Sequence, residues 1–233
     1  MTDLEFYGDL LSQPSRSVYL FLECTGIPYT MHSIDLTKRE SRTPEYLKIN
    51  PQGHVPYIVD KGHGMPESGA ILMYLADSRK VDDHWFPKDL LARAEVQGVL
   101  CWHGSALRAG GASLVFNRVL APRFGMEGSS EVAERFSLPR VKQALGEMEN
   151  CFLSNHEYLA AGEISIADLL VVCELEMLQM LDVEDKSPKF DELLADYPRV
   201  RAWRSRVRER CGKPFDKAHE RMLGTIKHFS AKQ

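Results

Sequence analysis

The chain opens with apolar and polar residues that alternate with the period of β-strands, interrupted by stretches with helical spacing. Alternation over 4–8, 29–34 and 55–60 predicts three strands, and Met65 begins a short return strand after a glycine-rich turn at 61–64. The helices predicted between them cover 15–25, 43–49 and 67–75. The order is a βαβ unit followed by ββα, which predicts a mixed four-stranded sheet.

A polar stretch at 79–89, which contains Pro87, separates this part from a region whose apolar pattern is helical throughout. We therefore predict an α/β domain over 1–78, a linker over 79–89 and an all-α domain over 90–233. The apolar positions that best define the later helices are Val141, Leu145, Met148, Phe152, Val200, Trp203 and Val207.

Two features of the helical region have a structural interpretation. Ser165 and Asp168 form a capping-box sequence ahead of an apolar run, so we expect Asp168 to start a buried helix. The arginines between 199 and 210 lie beside an apolar helix face, and this arrangement is typical of a solvated surface.

Composition and charge narrow the classes of function. The chain has 233 residues, of which 44% are hydrophobic and 27% charged, with a net charge of −4. This charge argues against nucleic-acid binding, and the chain has no apolar run of about 18 residues that could span a membrane.

Five scattered cysteines without a CxxC motif indicate reduced thiols, and the acidic start carries no apolar signal core. We expect a cytoplasmic protein without a metal site, because the histidines form no HExxH motif.

The loop Ser12-Gln13-Pro14-Ser15 joins the first strand to the first helix, at the place where a thioredoxin-like domain carries Cys-x-Pro-Cys. Oxygen replaces sulfur here, so the loop cannot perform dithiol redox chemistry. A serine hydroxyl can still donate a hydrogen bond to the thiol of another molecule. The alternative is that Ser12 only caps the helix.

Several short motifs occur together in an order and spacing that resemble one family. They are Ser12-Gln13-Pro14-Ser15-Arg16, Asn50-x-x-Gly53-x-Val55-Pro56, Glu67-Ser68-x-Ala70-Ile71, Asp83-His84-Trp85, Ala92-Arg93-Ala94, Trp102-His103 and Ser165-x-Ala167-Asp168. Over nearly its full length the chain is similar to the theta class of glutathione S-transferases. The resemblance implies a thioredoxin-like N-terminal domain, an all-helical C-terminal domain and a homodimer.

The resemblance also implies a catalytic role for Ser12, whose hydroxyl would donate a hydrogen bond to the sulfur of glutathione. A thiol with a pKa near 8.5 is only about 3% ionised at pH 7, and the thiolate is the nucleophile. A donor lowers the thiol pKa because it stabilises the anion more than the neutral form. Ser15 is the competing hydroxyl, although its place after Pro14 predicts a position inside the first helical turn.

Other implied glutathione contacts lie on three loops. A cis peptide before Pro56 would leave the backbone of Val55 to pair with the cysteinyl part of glutathione. Glu67 and Ser68 begin a helix and would bind the γ-glutamyl ammonium and carboxylate, although the same residues suit a plain helix cap.

The glycine carboxylate of glutathione needs a cation, and the resemblance directs attention to Ser41, Arg42 and His54. The chain departs from the family here, because Ser41 replaces a frequent histidine and His54 a common lysine. Arg42 still supplies a charge. We expect glutathione binding that is weaker than in a lysine-bearing relative, or that depends on pH.

The electrophile pocket is expected to have Leu10 and Leu11 as its floor, with Arg108, Leu114 and Phe116 as its helical roof. Arg108 would contact an anionic leaving group. Ser105 occupies the position of an acidic residue that reaches glutathione across the dimer in relatives, which leaves this contact in question.

The leading hypothesis is an enzyme that uses glutathione as co-substrate and attacks hydrophobic electrophiles, with displacement of halide or sulfate or reduction of organic hydroperoxides. A second hypothesis is a non-catalytic docking module of the same fold, as found in elongation-factor complexes. A third is a glutathione-dependent dehalogenase or isomerase, but the Ser-Ser-Cys loop of the isomerase class is absent.

Overall fold

The computed structural model describes residues 3–185 and 187–231, and its N-terminal part is built on one mixed sheet. The strand order is β2-β1-β3-β4, in which β1 and β2 are parallel and the other two pairs are antiparallel. This confirms the predicted βαβ-ββα arrangement. The strands are β1 (Leu4–Gly8), β2 (Thr30–Ser33), β3 (Tyr57–Asp60) and β4 (His63–Pro66).

Three helices belong to this sheet: α1 (Gln13–Thr25), α2 (Pro44–Ile49) and α3 (Ser68–Ser78). Pro14 lies in the first turn of α1, where a missing N–H leaves no bond unmade, and Gly26 ends the helix with a φ of 67°. Both signals are readable in the sequence, which is why the predicted helix nearly coincides with α1.

The hairpin between β3 and β4 is tighter than predicted. Lys61 and Gly62 both adopt positive φ angles, 52° and 80°, as expected of a two-residue turn whose twist matches the strands. Because two residues complete the turn, β4 begins at His63, ahead of the predicted Met65.

The rest of the chain is helical, with nine α-helices among the described residues after α3. Three π-helical segments, Phe116–Leu120, Ala133–Ser137 and Met148–Phe152, interrupt or extend these helices. The helices are α4 (Leu90–Ser105), α5 (Leu107–Val115), α6 (Ala121–Arg123), α7 (Ser130–Val132), α8 (Leu138–Glu147), α9 (Ile166–Met177), α10 (Phe190–Leu193), α11 (Pro198–Cys211) and α12 (Lys213–Ser230).

Helix α9 lies at the centre of the molecule, and every one of its residues is buried. The predicted capping box is present, since Ser165 and Asp168 bond reciprocally at its N-terminus. Asp168 also accepts hydrogen bonds from the Leu159 N–H at 3.0 Å and from Trp203 Nε1 at 2.7 Å. Because α9 packs against α1, it fixes the helical part against the sheet and so positions the cleft between them.

No helix within 3–185 or 187–231 combines the length and hydropathy needed to cross a membrane. In the same two ranges, no three histidine, cysteine, aspartate or glutamate side chains are grouped closely enough to hold a metal ion.

Candidate active site

A cavity of about 630 Å³ opens between the β1–α1 loop and the helices that face it. This volume falls within the range expected for small-molecule sites. Its polar side is formed by residues from the sheet part, among them Ser12, Gln13, Thr37, Ser41, Arg42, Gln52, His54, Glu67 and Ser68.

Ser12 lies at the start of α1, on the wall of the cavity. Its backbone is tied down, because its N–H donates to the Asp9 carbonyl at 2.9 Å and its own carbonyl accepts from the Arg16 N–H. Its hydroxyl makes no capping hydrogen bond to the helix. The half-buried hydroxyl is therefore available to a molecule in the cavity, and the simple capping interpretation is not what the structure shows.

Ser15 has different surroundings from Ser12. It is fully buried, does not line the cavity, and its hydroxyl oxygen accepts a hydrogen bond from the Asp9 N–H at 3.4 Å. The backbone geometry thus separates the two hydroxyls, with one facing the cavity and the other facing the protein interior.

Two buried charges hold the loop before Ser12. The Asp9 carboxylate accepts from the Leu11 N–H at 2.8 Å and the Leu36 N–H at 2.9 Å, and it pairs with Arg221 of α12 at 3.1 Å. The Arg16 guanidinium, also fully buried, donates to the Leu10 and Leu11 carbonyls at 3.1 and 3.0 Å. Burial lowers the pKa of Arg16, although Cys173 and the carboxylates of Glu174 and Glu176 oppose this shift. The backbone of the loop before Ser12 is therefore held by hydrogen bonds to both Asp9 and Arg16.

The peptide bond between Val55 and Pro56 is cis, as the resemblance implied. Tyr46 Oη and Asn50 Nδ2 both donate to the carbonyl of His54, at 2.7 and 2.8 Å, and so fix the approach to this bond. Val55 and Pro56 line the cavity beside Ser12.

Glu67 has a φ of 71°, which is unusual for a residue with a side chain. A left-handed backbone at a non-glycine residue typically costs about 1–3 kcal/mol and is concentrated at functional sites. Glu67 and the buried Ser68 begin α3 and line the cavity. The first N–H groups of α3 therefore lie beside a carboxylate and a hydroxyl on the same wall.

The predicted carboxylate-binding residues also lie on this wall. Ser41 is buried, whereas Arg42 and His54 are exposed, and all three line the cavity. Arg42 Nη1 donates to the Gln52 carbonyl at 3.2 Å. Gly53 has a φ of 63°, and a Cβ there would lie 2.8 Å from Arg42 Nη1, so this loop requires glycine.

A buried carboxylate behind the cavity was not predicted from the sequence. Glu174 of α9 accepts from Gln13 Nε2 at 3.1 Å and from Arg108 Nη1 at 2.9 Å, and His103 Nε2 lies 3.5 Å away. Burial disfavours the charge of Glu174, but His103 and Arg108 outweigh burial and lower its pKa. Glu174 and Glu176 stand in an otherwise apolar helix, and this was the available signal for a buried ion pair.

The apolar side of the cavity differs from the prediction. Leu11 lines it as expected, but Leu10 does not line the cavity and instead is partly buried against the hydrophobic core. Leu114 is also in the core, because it lies six residues beyond Arg108 and so about 240° around α5. Phe116 is exposed at the start of a π-helical segment. The apolar lining is instead Leu11, Leu36, Leu100, Leu120, Phe124, Leu170 and Met177.

Ser105 lies outside the cavity of its own chain. It is exposed at the end of α4, and its hydroxyl donates to the Trp102 carbonyl at 3.3 Å. Arg108, by contrast, lines the cavity as predicted.

Comparison with known proteins accounts for this combination of fold and cavity. Residues 6–80 match the family model for the glutathione S-transferase N-terminal domain, and residues 117–210 match that for the C-terminal domain. The chain therefore belongs to the glutathione S-transferase family.

Within that family, several of the similar proteins are of the theta class. Mouse glutathione S-transferase theta-1 is 38% identical over 221 residues, which cover 94% of this chain and 89% of the relative. A crystal structure of human theta-2 in complex with glutathione and an unknown ligand has 35% identity and a TM-score of 0.89, with 99% and 91% coverage. A human theta-class structure with the glutathione conjugate of 1-menaphthyl sulfate has 35% identity and a TM-score of 0.90, with 100% and 91% coverage.

These similarities identify the chain as a theta-like glutathione S-transferase, and they do not favour the non-catalytic docking module.

Proposed function

We propose that the Ser12 hydroxyl donates a hydrogen bond to the glutathione sulfur and holds it as the thiolate that attacks a hydrophobic electrophile. The observation that carries this proposal is the position of Ser12, which faces the cavity with a hydroxyl that the helix does not use. Ser15 is the weaker candidate, because its side chain is fully buried and already bonded to Asp9.

The energetics limit what Ser12 can do alone. Moving a thiol pKa down by about two units requires roughly 2.7 kcal/mol of differential interaction. A neutral hydrogen bond contributes about 1 kcal/mol, and the N-terminal dipole of α1 adds about 0.3–1 kcal/mol at an exposed site and more when partly buried. The two contributions together approach the required shift, so the sulfur must lie near both the hydroxyl and the helix end.

The rest of glutathione fits the polar wall. The backbone of Val55 would pair with the cysteinyl residue. The Glu67 carboxylate would bind the γ-glutamyl ammonium, while the Ser68 hydroxyl and the N–H groups of α3 bind the adjacent carboxylate. Arg42 would bind the glycine carboxylate, with Ser41 and His54 beside it.

The electrophile would occupy the apolar side of the cavity, between Leu11 and the helical residues Leu100, Leu170 and Met177. Displacement of sulfate or halide is the reaction class we favour, because a similar theta-class enzyme has been solved with the conjugate of 1-menaphthyl sulfate. Arg108 would contact the departing anion. Reduction of organic hydroperoxides by the same thiolate is a second activity of the site.

We also propose a homodimer. Leu90 and Leu91, at the start of α4, are 79% and 78% exposed in the single chain. Adjacent exposed leucines are the kind of surface that a partner covers. Sedimentation of the purified protein at several concentrations tests this, and a monomer at all of them would contradict it.

Turnover of paired serine variants tests the catalytic proposal. Ser12→Ala should lower turnover with 1-menaphthyl sulfate by at least about ten-fold, whereas Ser15→Ala, the matched control, should retain most of it. Equal activity of Ser12→Ala and wild type between pH 6 and pH 8 would contradict the proposal.

A further inference from the structure

His103 is a buried titratable side chain on the wall of the cavity, and neither the thiolate nor the leaving-group step uses it. It lies on α4, is 4% exposed, and lines the cavity together with Leu100, one turn earlier. Its Nε2 atom is buried and makes no hydrogen bond to any residue that the structure describes. Its charged neighbour is Glu174, whose Oε2 atom lies 3.5 Å from Nε2.

The carboxylate of Glu174 orients this imidazole. Glu174 stays ionised in its buried position because His103 and Arg108 lower its pKa against the effect of burial. An ionised carboxylate facing Nε2 selects the tautomer with a proton on that atom. The other ring nitrogen, Nδ1, then remains for a molecule in the cavity. Two charged groups lie beside the imidazole, Glu174 from α9 and Arg108 from α5. His103 and Arg108 both face the same oxygen of Glu174, Oε2.

Contacts through Glu174 connect His103 to Gln13, and His103 and Ser12 line the same cavity. Gln13, the residue after Ser12, donates to Glu174 Oε1, and His103 faces Glu174 Oε2. The imidazole of His103 and the side chain of Gln13, the residue after Ser12, therefore contact the same carboxylate. A co-substrate held between Ser12 and α4 would contact both the thiolate and the ring.

We propose that His103 is a general acid that protonates the departing oxygen of a hydroperoxide co-substrate, an inference that rests on the proposed function of Ser12. The glutathione sulfur forms an S–O bond with the terminal peroxide oxygen while the O–O bond breaks. The departing alkoxide takes a proton from His103 and leaves as the alcohol, and the other product is glutathione sulfenic acid.

The remaining steps balance the reaction. His103 regains a proton from solvent, which replaces the one lost when the thiol ionised. A second glutathione condenses with the sulfenic acid to give glutathione disulfide and water. Sulfate, in contrast, leaves as a stable anion and needs no proton, so the role of His103 should be selective for the hydroperoxide.

The test compares two electrophiles in His103→Gln, which keeps a donor toward Glu174 but cannot transfer a proton. Reduction of cumene hydroperoxide should fall about 100-fold, whereas displacement of sulfate from 1-menaphthyl sulfate should fall by far less, because that step needs no proton from His103. His103→Asn, assayed in parallel with glutathione affinity and circular dichroism, guards against a folding defect in one variant.

Equal losses with both electrophiles would assign His103 a structural role and overturn the inference, as would unchanged hydroperoxide reduction. A wild-type enzyme that displaces sulfate but does not reduce the hydroperoxide would also overturn it, while the proposed role of Ser12 in the displacement reaction would stand. A wild-type enzyme that turns over neither electrophile would instead refute the proposed function, and this inference with it.

Discussion

One buried histidine, His219, should make the folded protein measurably less stable as the pH falls below neutrality. It lies on α12, is 2% exposed, and its ring lies 4.3 Å from that of Phe215. Nδ1 is 2.8 Å from the Phe215 carbonyl, so this nitrogen carries the proton of the neutral ring. Burial, reinforced by the positive charge of Arg16, lowers the pKa of His219 to about 3.

The sign of the effect follows from proton binding. An unfolded histidine has a pKa near 6.5, so between pH 6.5 and about pH 3 the unfolded chain binds a proton that the folded chain does not. The free energy of unfolding is therefore unaffected by protonation of this histidine above pH 6.5. Below pH 6.5 it decreases by about 1.4 kcal/mol per pH unit because of this one group. At pH 5 the loss is about 2 kcal/mol.

Replacing the ring with an apolar side chain removes this term. His219→Leu should show a shallower decline in the free energy of unfolding between pH 7 and pH 5, measured from urea transitions followed by tryptophan fluorescence. The exposed His156→Gln is the control and should follow the wild-type slope. A His219→Leu slope equal to that of wild type would refute the reasoning.

Three further substitutions test the site and the core. Arg42→Gln should weaken glutathione binding by about ten-fold in calorimetry, because charge-assisted hydrogen bonds contribute about 1.5–3 kcal/mol; unchanged affinity at low salt would contradict its assignment. Gly53→Ala should also weaken binding, since its Cβ would displace Arg42, and an unaltered dissociation constant would show that the loop accommodates it. Trp203→Phe should lower the unfolding free energy by roughly 2–4 kcal/mol, as it removes a buried donor to Asp168; a loss within 0.5 kcal/mol, about the size of a surface substitution, would contradict this.

Local sequence signals predicted the features that depend on neighbouring residues. Pro14 and Gly26 bound α1, and the capping box at Ser165 starts α9. Both features are decided within a few residues of chain, where backbone geometry and capping chemistry dominate. The polar wall of the cavity was expected only from the resemblance of motifs such as Glu67-Ser68 to those of a known family.

Features that depend on distant residues were not predicted. The contact of Gln13 with Glu174 joins positions far apart in sequence. The carboxylates at 174 and 176 within an apolar run indicate a buried ion pair, but nothing near them identifies Gln13 as a partner. The apolar lining was also misplaced, because it is formed by residues such as Leu36, Leu100 and Leu170, which lie on separate elements and meet only in the folded chain. Helical periodicity, moreover, does not reveal the π-helical segments that interrupt the later helices.

The central claim is that Ser12 holds the glutathione sulfur in its ionised form, and titration of the bound thiol tests this most directly. The ultraviolet absorbance of the thiolate, measured against pH in the complex with glutathione, gives the pKa of the bound sulfur. We expect wild type to ionise roughly two units below free glutathione, and Ser12→Ala to return at least about one unit of that shift. The same thiol pKa in both proteins would contradict the account.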